Sequence, residues 1–151
     1  MSHHLAQINI AQCRAPLDSP LMADFVALLD PINALAEATP GFIWRLKSAA
    51  GNATDIPAYP DPLLIVNLSV WTDLDALKAY VFRTHHVDAF RRRKEWFEER
   101  EEASTALWWI PAGHIPTVQE GKERLENLVK QGPTQTAFTF RQPFPAPTDF
   151  V

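Results

Sequence analysis

The sequence holds one cysteine, Cys13, in 151 residues. No internal disulfide can form, which fits a reducing compartment. No apolar run approaches the roughly 20 residues that a membrane-spanning helix needs. The amino terminus, MSHHLAQINIAQ, lacks the basic stretch and apolar core of a secretory signal, so the cytoplasm is the expected location. Excess positive charge is missing as well. The net charge of -4 argues against nucleic acid as a partner, because phosphate binding wants a basic surface. No Ser-His-Asp signature, Walker loop, dinucleotide fingerprint or zinc spacing appears. Internal repeats and low-complexity segments are absent too.

What is present reads as one soluble domain. Hydrophobic residues make up 46% and charged residues 21%, enough apolar material for a sizeable core at this length. The expected division is a single domain over residues 1–141 and a proline-rich tail over 142–151. The stretch from Leu63 to Trp109 organises the chain: LLIVNLSVW, TDLDALKAYVFRT, HHVDAFRRRKEWFEEREE and ASTALWW read as strand, helix, helix, strand. Side chains alternate between the two faces of a strand. Leu64, Val66, Leu68 and Val70 therefore form an aliphatic face, and Leu63, Ile65, Asn67, Ser69 and Trp71 form a mixed one. Residues 5–12 alternate likewise, with Ala6, Ile8 and Ile10 set against Gln7 and Asn9.

Ser19-Pro20 predicts a helix start. The helix continues through Phe25, Val26 and Leu29, with a kink or break at Pro31. Phe42 to Ser48 predicts a strand with Phe42, Trp44 and Leu46 on one face. Residues 49–62 predict a long loop suited to a lid or an interface arm. Thr72 with Asp75 and Thr117 with Glu120 read as capping boxes. Gly132-Pro133 closes the last helix, and Thr136 to Phe140 predicts a short final strand. The order β-α-β-β-α-β, then α and β, fits an α+β fold. It is a ferredoxin-like split βαβ with a C-terminal helix and short strand extension. Such a sheet has a second face to cover, and a partner subunit's sheet is the expected cover.

Several side-chain sets invite a chemical reading, each beside a plainer one. Asn67, Ser69 and Trp71 suit an oxygenated aromatic ligand, since small-molecule sites combine apolar walls with a few convergent polar groups; a hydrated interior explains them equally well. His85 and His86 suit a general base or a metal ligand. Adjacent helical residues point about 100° apart, so a hydrogen-bonded histidine is the plainer reading of each. His86, Phe90, Arg93 and Phe97 share one helical stripe, which makes His86 the better base and Arg93 a holder for a carboxylate or phenolate. Arg91 and Lys94 read as a solvated face balanced by Glu95, Glu98 and Glu99, while Arg92 shares a second stripe with His85, Ala89 and Trp96. Trp108, Trp109 and His114 read as packing plus a loop histidine, with Trp109 kept as a ligand contact. Cys13 reads as an inert thiol.

PGFIWRL, NLSVWTDLDALKAYV, HH…RRRKEWF, ALWWIPAGHIPTVQEGKERL and AFTFR resemble an uncharacterised bacterial family, domain of unknown function 3291. The resemblance spans about Leu5 to Arg141. That family is similar to the antibiotic-biosynthesis monooxygenases of the dimeric α/β-barrel superfamily. The resemblance implies a homodimer whose two sheets form a barrel, with one pocket per subunit between sheet and helices. Quinone-forming members of the superfamily use an Asn and a Trp four apart on the third strand, and Asn67 and Trp71 look like that pair. Haem-degrading members carry an Asn on the first strand, a Trp ending the third and a His on the next helix. Asn9 and Trp71 fall at matching places, whereas His85 and His86 lie later than that pattern.

The leading expectation is a cofactor-independent monooxygenase-like enzyme acting on an electron-rich aromatic molecule. Asn67 and Trp71 would hold the substrate, His86 would act as base, and Arg93 would stabilise an anion. Asn9, Ser69, Phe90 and Trp109 would complete the lining. The alternatives are a haem-binding or haem-degrading protein, with His85 or His86 as axial ligand, and a non-catalytic dimeric binding protein. Parity along the strands predicts that Asn9, Asn67, Trp71 and His86 converge on one cavity.

Overall fold

The computed structural model describes residues 3–48, 51, 54, 56–84 and 92–147. His85, His86, Phe90 and Arg91 lie outside the described residues. Among the described residues, five strands and four α-helices follow in chain order: β1 (His3–Cys13), α1 (Ala23–Ala38), β2 (Phe42–Arg45), β3 (Leu64–Trp71), α2 (Leu74–Thr84), α3 (Arg93–Trp96), β4 (Phe97–Glu98), β5 (Thr105–Pro111) and α4 (Val118–Gln131). A 3-10 turn at Pro20–Met22 leads into α1. No helix among the described residues is long and apolar enough to cross a membrane.

The strands form one antiparallel sheet in the order β2-β3-β1-β5, with β4 pairing β1 at Gln12 and Cys13. This is the α+β arrangement expected of a ferredoxin-like chain, with β1 beside β3. Even-numbered residues of the central strands build the main core: Ala6, Ile8, Val66, Leu68, Val70, Ala106 and Trp108 are at most 4% exposed. Leu125 and Leu128 of α4 seal that face. Gly121 permits the close approach, since a Cβ there would stand 2.8 Å from Ile8 Cδ1. The odd-numbered face lies under α1 and α2: Leu5, Trp71 and Leu107 cluster with Ala36 and Leu77.

This overturns the premise that the chain's own helices cover only one face. The third amphipathic helix carries a complete apolar stripe, and that stripe docks in cis. The 49–62 loop and the proline-rich tail each contact the chain's own elements at a described residue. Lys122 Nζ donates to the carbonyl of Ala58 at 2.7 Å, and Trp109 Nε1 donates to the carbonyl of Phe144 at 2.8 Å.

Of the two readings at Pro31, the single helix holds: Pro31 lies inside α1. Three local expectations change. A bulge between Phe42 and Trp44 sends Phe42 to the face of Trp71 while Trp44 pairs Val70, so the three alternating residues do not share a face. The N-cap of α2 is Asp73, whose Oδ1 accepts from Ala76 N at 2.8 Å, in place of Thr72. The final strand reduces to one bridge between Leu107 and Phe138.

The largest difference concerns the run that ends at Glu102. Helix α3 stops at Trp96, and Phe97 is extended (φ -126°, ψ 143°). A helix carried further would gather Glu98, Glu99, Glu101 and Glu102 at its negative C-terminal end. The chain instead buries Trp96 to 1% exposure and pairs Phe97 with Cys13. Phe97 therefore does not continue the stripe expected from His86.

Candidate functional site

Register across the odd face assembles the site. Side chains directly opposed in an antiparallel pair share a face. Thr105, Asn9 and Asn67 thus form one row across β5, β1 and β3. The next row is Leu107, Gln7, Ser69 and Arg45, and the third is Trp109, Leu5, Trp71 and Phe42. A polar row and an aromatic row flank a mixed one.

Hydrogen bonds link the rows. Trp71 Nε1 donates to Ser69 Oγ at 2.8 Å. Gln7 Nε2 donates to Ser69 Oγ at 2.7 Å and to Asn67 Oδ1 at 2.6 Å. Gln7 and Ser69 are buried, whereas Asn9 and Asn67 are exposed. The polar row therefore ends in two open amides resting on a buried, satisfied network.

Above this floor lies a cavity of about 790 Å³, within the range of small-molecule pockets. Phe25, Leu29 and Ile32 of α1 form one wall, and Leu77, Tyr80 and Val81 of α2 form the other. Gln7, Asn9, Asn67 and Thr105 lie on the floor, and Arg93 and Phe97 border the cavity at the chain that follows α2. Tyr80 stacks on Trp71 with ring centroids 5.1 Å apart. Burial pushes its phenol up to about 12, against the opposing pull of the Arg45 charge. Tyr80 thus stays a neutral hydroxyl at physiological pH and cannot serve as a ready base.

The residues nominated by sequence divide clearly. Asn9, Asn67 and Arg93 border the cavity. Trp71 and Ser69 stand behind it: Trp71 is 0% exposed, and its indole is committed to Ser69. Trp109 lies elsewhere, in a smaller cleft with Asp73, Leu74 and Phe144, because the tail captures its indole N–H. His86 and Phe90 lie outside the described residues, and the convergence expected of His86 lies outside them too. Trp108 and His114 both bond Glu120, at 2.9 and 2.8 Å, and belong to the packing of α4. Burial raises the Cys13 thiol above its usual range, helped by Asp61, in keeping with an inert residue.

Gln7, Thr105 and Tyr80 were missed. Tyr80 was legible, since Leu77, Tyr80, Val81 and Thr84 follow helical spacing. Gln7 and Thr105 required the register between strands, which parity along one strand does not supply.

The class of structure is α+β: one antiparallel sheet with a polar floor, covered by two helices that leave a cavity of about 790 Å³. The family model for a domain of unknown function, DUF3291, matches residues 4–150, and the chain belongs to that family. No curated protein matches it. Solved structures resemble it faintly. SnoaB, a cofactor-independent oxygenase from Streptomyces nogalater, is 17% identical over 77% of this chain and 100% of its own, with a TM-score of 0.48. The NE2512 protein of unknown function from Nitrosomonas europaea is 16% identical over 76% of this chain and 96% of its own, with a TM-score of 0.49. PA3566 from Pseudomonas aeruginosa is 16% identical over 76% of this chain and 98% of its own, also at 0.49. Likenesses this faint carry no argument about activity.

Proposed function

We propose that the cavity binds a small electron-rich aromatic molecule bearing carbonyl or hydroxyl oxygens, and that the protein oxidises it with O₂ as a cofactor-independent monooxygenase does. The observation that carries the proposal is the row of open amides at Asn9 and Asn67, beside Thr105, under apolar walls. Exposed amides on a buried network orient a polar group of a ligand whose rings occupy the apolar space. The chemistry closes without an added reductant: an activated ring CH₂ and O₂ give a ring C=O and water. The substrate supplies all four electrons: both C–H bonds break, one oxygen atom becomes the carbonyl oxygen on that carbon, and the other leaves as water with both hydrogens.

In this proposal Asn67 meets the substrate oxygen, and Trp71 acts from behind through Ser69. Arg93 favours an anionic form of the substrate. His86 is the proposed base. The experiment is oxygen uptake with an anthrone, whose central CH₂ is activated by two aryl rings. Wild type should exceed the protein-free rate, and Asn67→Ala should lower the enzymatic part by about tenfold, the loss of one hydrogen bond to a developing charge. Uptake equal to that of buffer alone would sink the oxidation.

Haem is the alternative cofactor. Its expected axial ligands, His85 and His86, lie outside the described residues, and no histidine or cysteine among the described residues lines the cavity. A Soret band on the purified protein would favour that reading. The non-catalytic alternative shares the cavity and differs only in lacking turnover. A homodimer belongs to the proposal on narrower ground than mutual cover of two sheets. What supports it is the exposure of Leu21 (50%) and Val26 (40%) on the α1 side. Sedimentation showing only monomer at micromolar concentration would remove it.

A further inference from the structure

The direction of the hydrogen bonds beneath the cavity decides which ligand atom Asn67 can meet. Trp71 sets the start, because an indole N–H only donates. It is fully buried and occupies one lone pair of Ser69 Oγ. Gln7 Nε2 then donates one hydrogen to Ser69 Oγ and the other to Asn67 Oδ1. Gln7 is 6% exposed and Ser69 5%, so this arrangement is held inside the protein. A primary amide has one carbonyl and one NH₂. Gln7 takes one of the two lone pairs of the Asn67 carbonyl and holds that oxygen toward the buried network, which turns the NH₂ end of the amide to the cavity.

We infer that Gln7 is a positioning residue that holds Asn67 as a hydrogen-bond donor, so that the cavity selects ligands presenting an acceptor there. A ketone or quinone carbonyl or a phenolate oxygen fits. A neutral hydroxyl, whose oxygen accepts more weakly, fits less well. The inference rests on the proposal that a small aromatic molecule occupies the cavity, and it adds the polarity of the contact.

Two probes of one skeleton test it: 1-tetralone, which carries a ketone, and 1-naphthol, which carries a hydroxyl. Calorimetric titration of the full-length protein should show 1-tetralone bound about tenfold more tightly, one hydrogen bond's worth of preference. Asn67→Asp keeps an oxygen for Gln7 and replaces the cavity-facing NH₂ by a second oxygen. The preference should fall by about tenfold or invert, with 1-naphthol still bound. Gln7→Leu frees the Asn67 amide to turn, and the preference should move toward unity. Asn67 is exposed, so Asn67→Asp decides the matter even if Gln7→Leu does not fold. An unchanged preference in Asn67→Asp would overturn the polarity and leave the cavity reading standing. Failure of both probes to bind wild type at millimolar concentration would overturn the cavity reading and the polarity with it.

Discussion

The two faces of the sheet are built from alternate residues of the same strands and meet opposite fates. Beneath α4 the even face is dry: Ala6, Ile8, Leu68 and Val70 are fully buried, and Gly121 lets the helix backbone close on Ile8. Above the odd face α1 stands off. Its Phe25, Leu29 and Ile32 are half-buried or look into the cavity, and only Ala36 of that helix is fully buried. The polar row explains the difference. An apolar helix pressed onto Asn9, Asn67 and Thr105 would bury unpaired polar groups at a cost of about 1–3 kcal/mol each. Aliphatic rows pull a helix down, and amide rows hold it away.

The largest test of this contrast compares two neighbouring residues on opposite faces. Ile8→Ala should lower unfolding stability by about 3 kcal/mol, because a fully buried side chain is lost from a sealed core. Asn9→Ala should change it by no more than about 0.5 kcal/mol. Urea denaturation of both variants checks the pair. Equal losses would mean that the odd face is packed as tightly as the even one.

Much of this contrast was legible in the sequence. Alternation in LAQINIAQ and LLIVNLSVW assigns every residue of β1 and β3 to its face, and the β-α-β-β-α-β order makes those strands neighbours. Two kinds of information were not local. The α4 stripe of Val118, Gly121, Leu125 and Leu128 was visible, but its choice of the chain's own sheet over a solvated position depends on a complementary row in β1 and β5. The bulge in β2 and the turn to extended backbone at Phe97 depend on partners distant in sequence, Trp71 for one and Cys13 for the other. Candidate-site residues followed the same rule. Parity alone put Asn9 and Asn67 on the face that borders the cavity, Gln7 needed register, and Trp109 borders the smaller cleft, where Phe144 takes its indole hydrogen.

A smaller effect probes the network that supports the polar face. Trp71→Phe keeps an aromatic ring against Tyr80 and removes the indole donor to Ser69. The expected loss is about 1–2 kcal/mol, the usual range for one buried hydrogen bond whose partner is left short. Thermal unfolding checks it. No loss would place the Ser69 hydroxyl bond outside the energetics of the floor.

On the sealed face, Gly121→Ala sets two effects against each other. Alanine favours the helix by about 1 kcal/mol, while its Cβ would crowd Ile8 Cδ1 at 2.8 Å. Overpacking of a tight core costs about 1–3 kcal/mol, so the net loss should be about 1 kcal/mol. Ile8→Val removes Cδ1. A double-mutant cycle should therefore show that Gly121→Ala costs less in the Ile8→Val background. Additive losses would mean that the helix relaxes away from the sheet without touching Ile8.

The smallest expected effect is read in acid, at the edge of the sealed face. Glu120 opens α4, and its backbone N–H bonds Thr117 Oγ1 at 3.1 Å. Its carboxylate accepts from buried Trp108 at 2.9 Å and meets His114 at 2.8 Å. Burial is the largest influence and pushes this carboxyl up. The hydrogen bonds from His114 and Trp108, with the charges of His114 and Arg124, together outweigh it, and the net shift is downward. The folded state thus holds Glu120 ionised more firmly than the unfolded chain does. Its contribution is complete above the unfolded value, near the ordinary pKa of about 4.3. As pH falls below that value the unfolded chain takes up the proton first, and the contribution is lost as pH falls through the folded value. Glu120→Gln removes the titration and retains an acceptor for Trp108. Its stability should therefore fall less steeply than wild type's below about pH 4.3, with the two curves running parallel above about pH 6. Chemical denaturation across that range checks it, and identical slopes in acid would show that the clasp between β5 and α4 does not depend on the charge of Glu120.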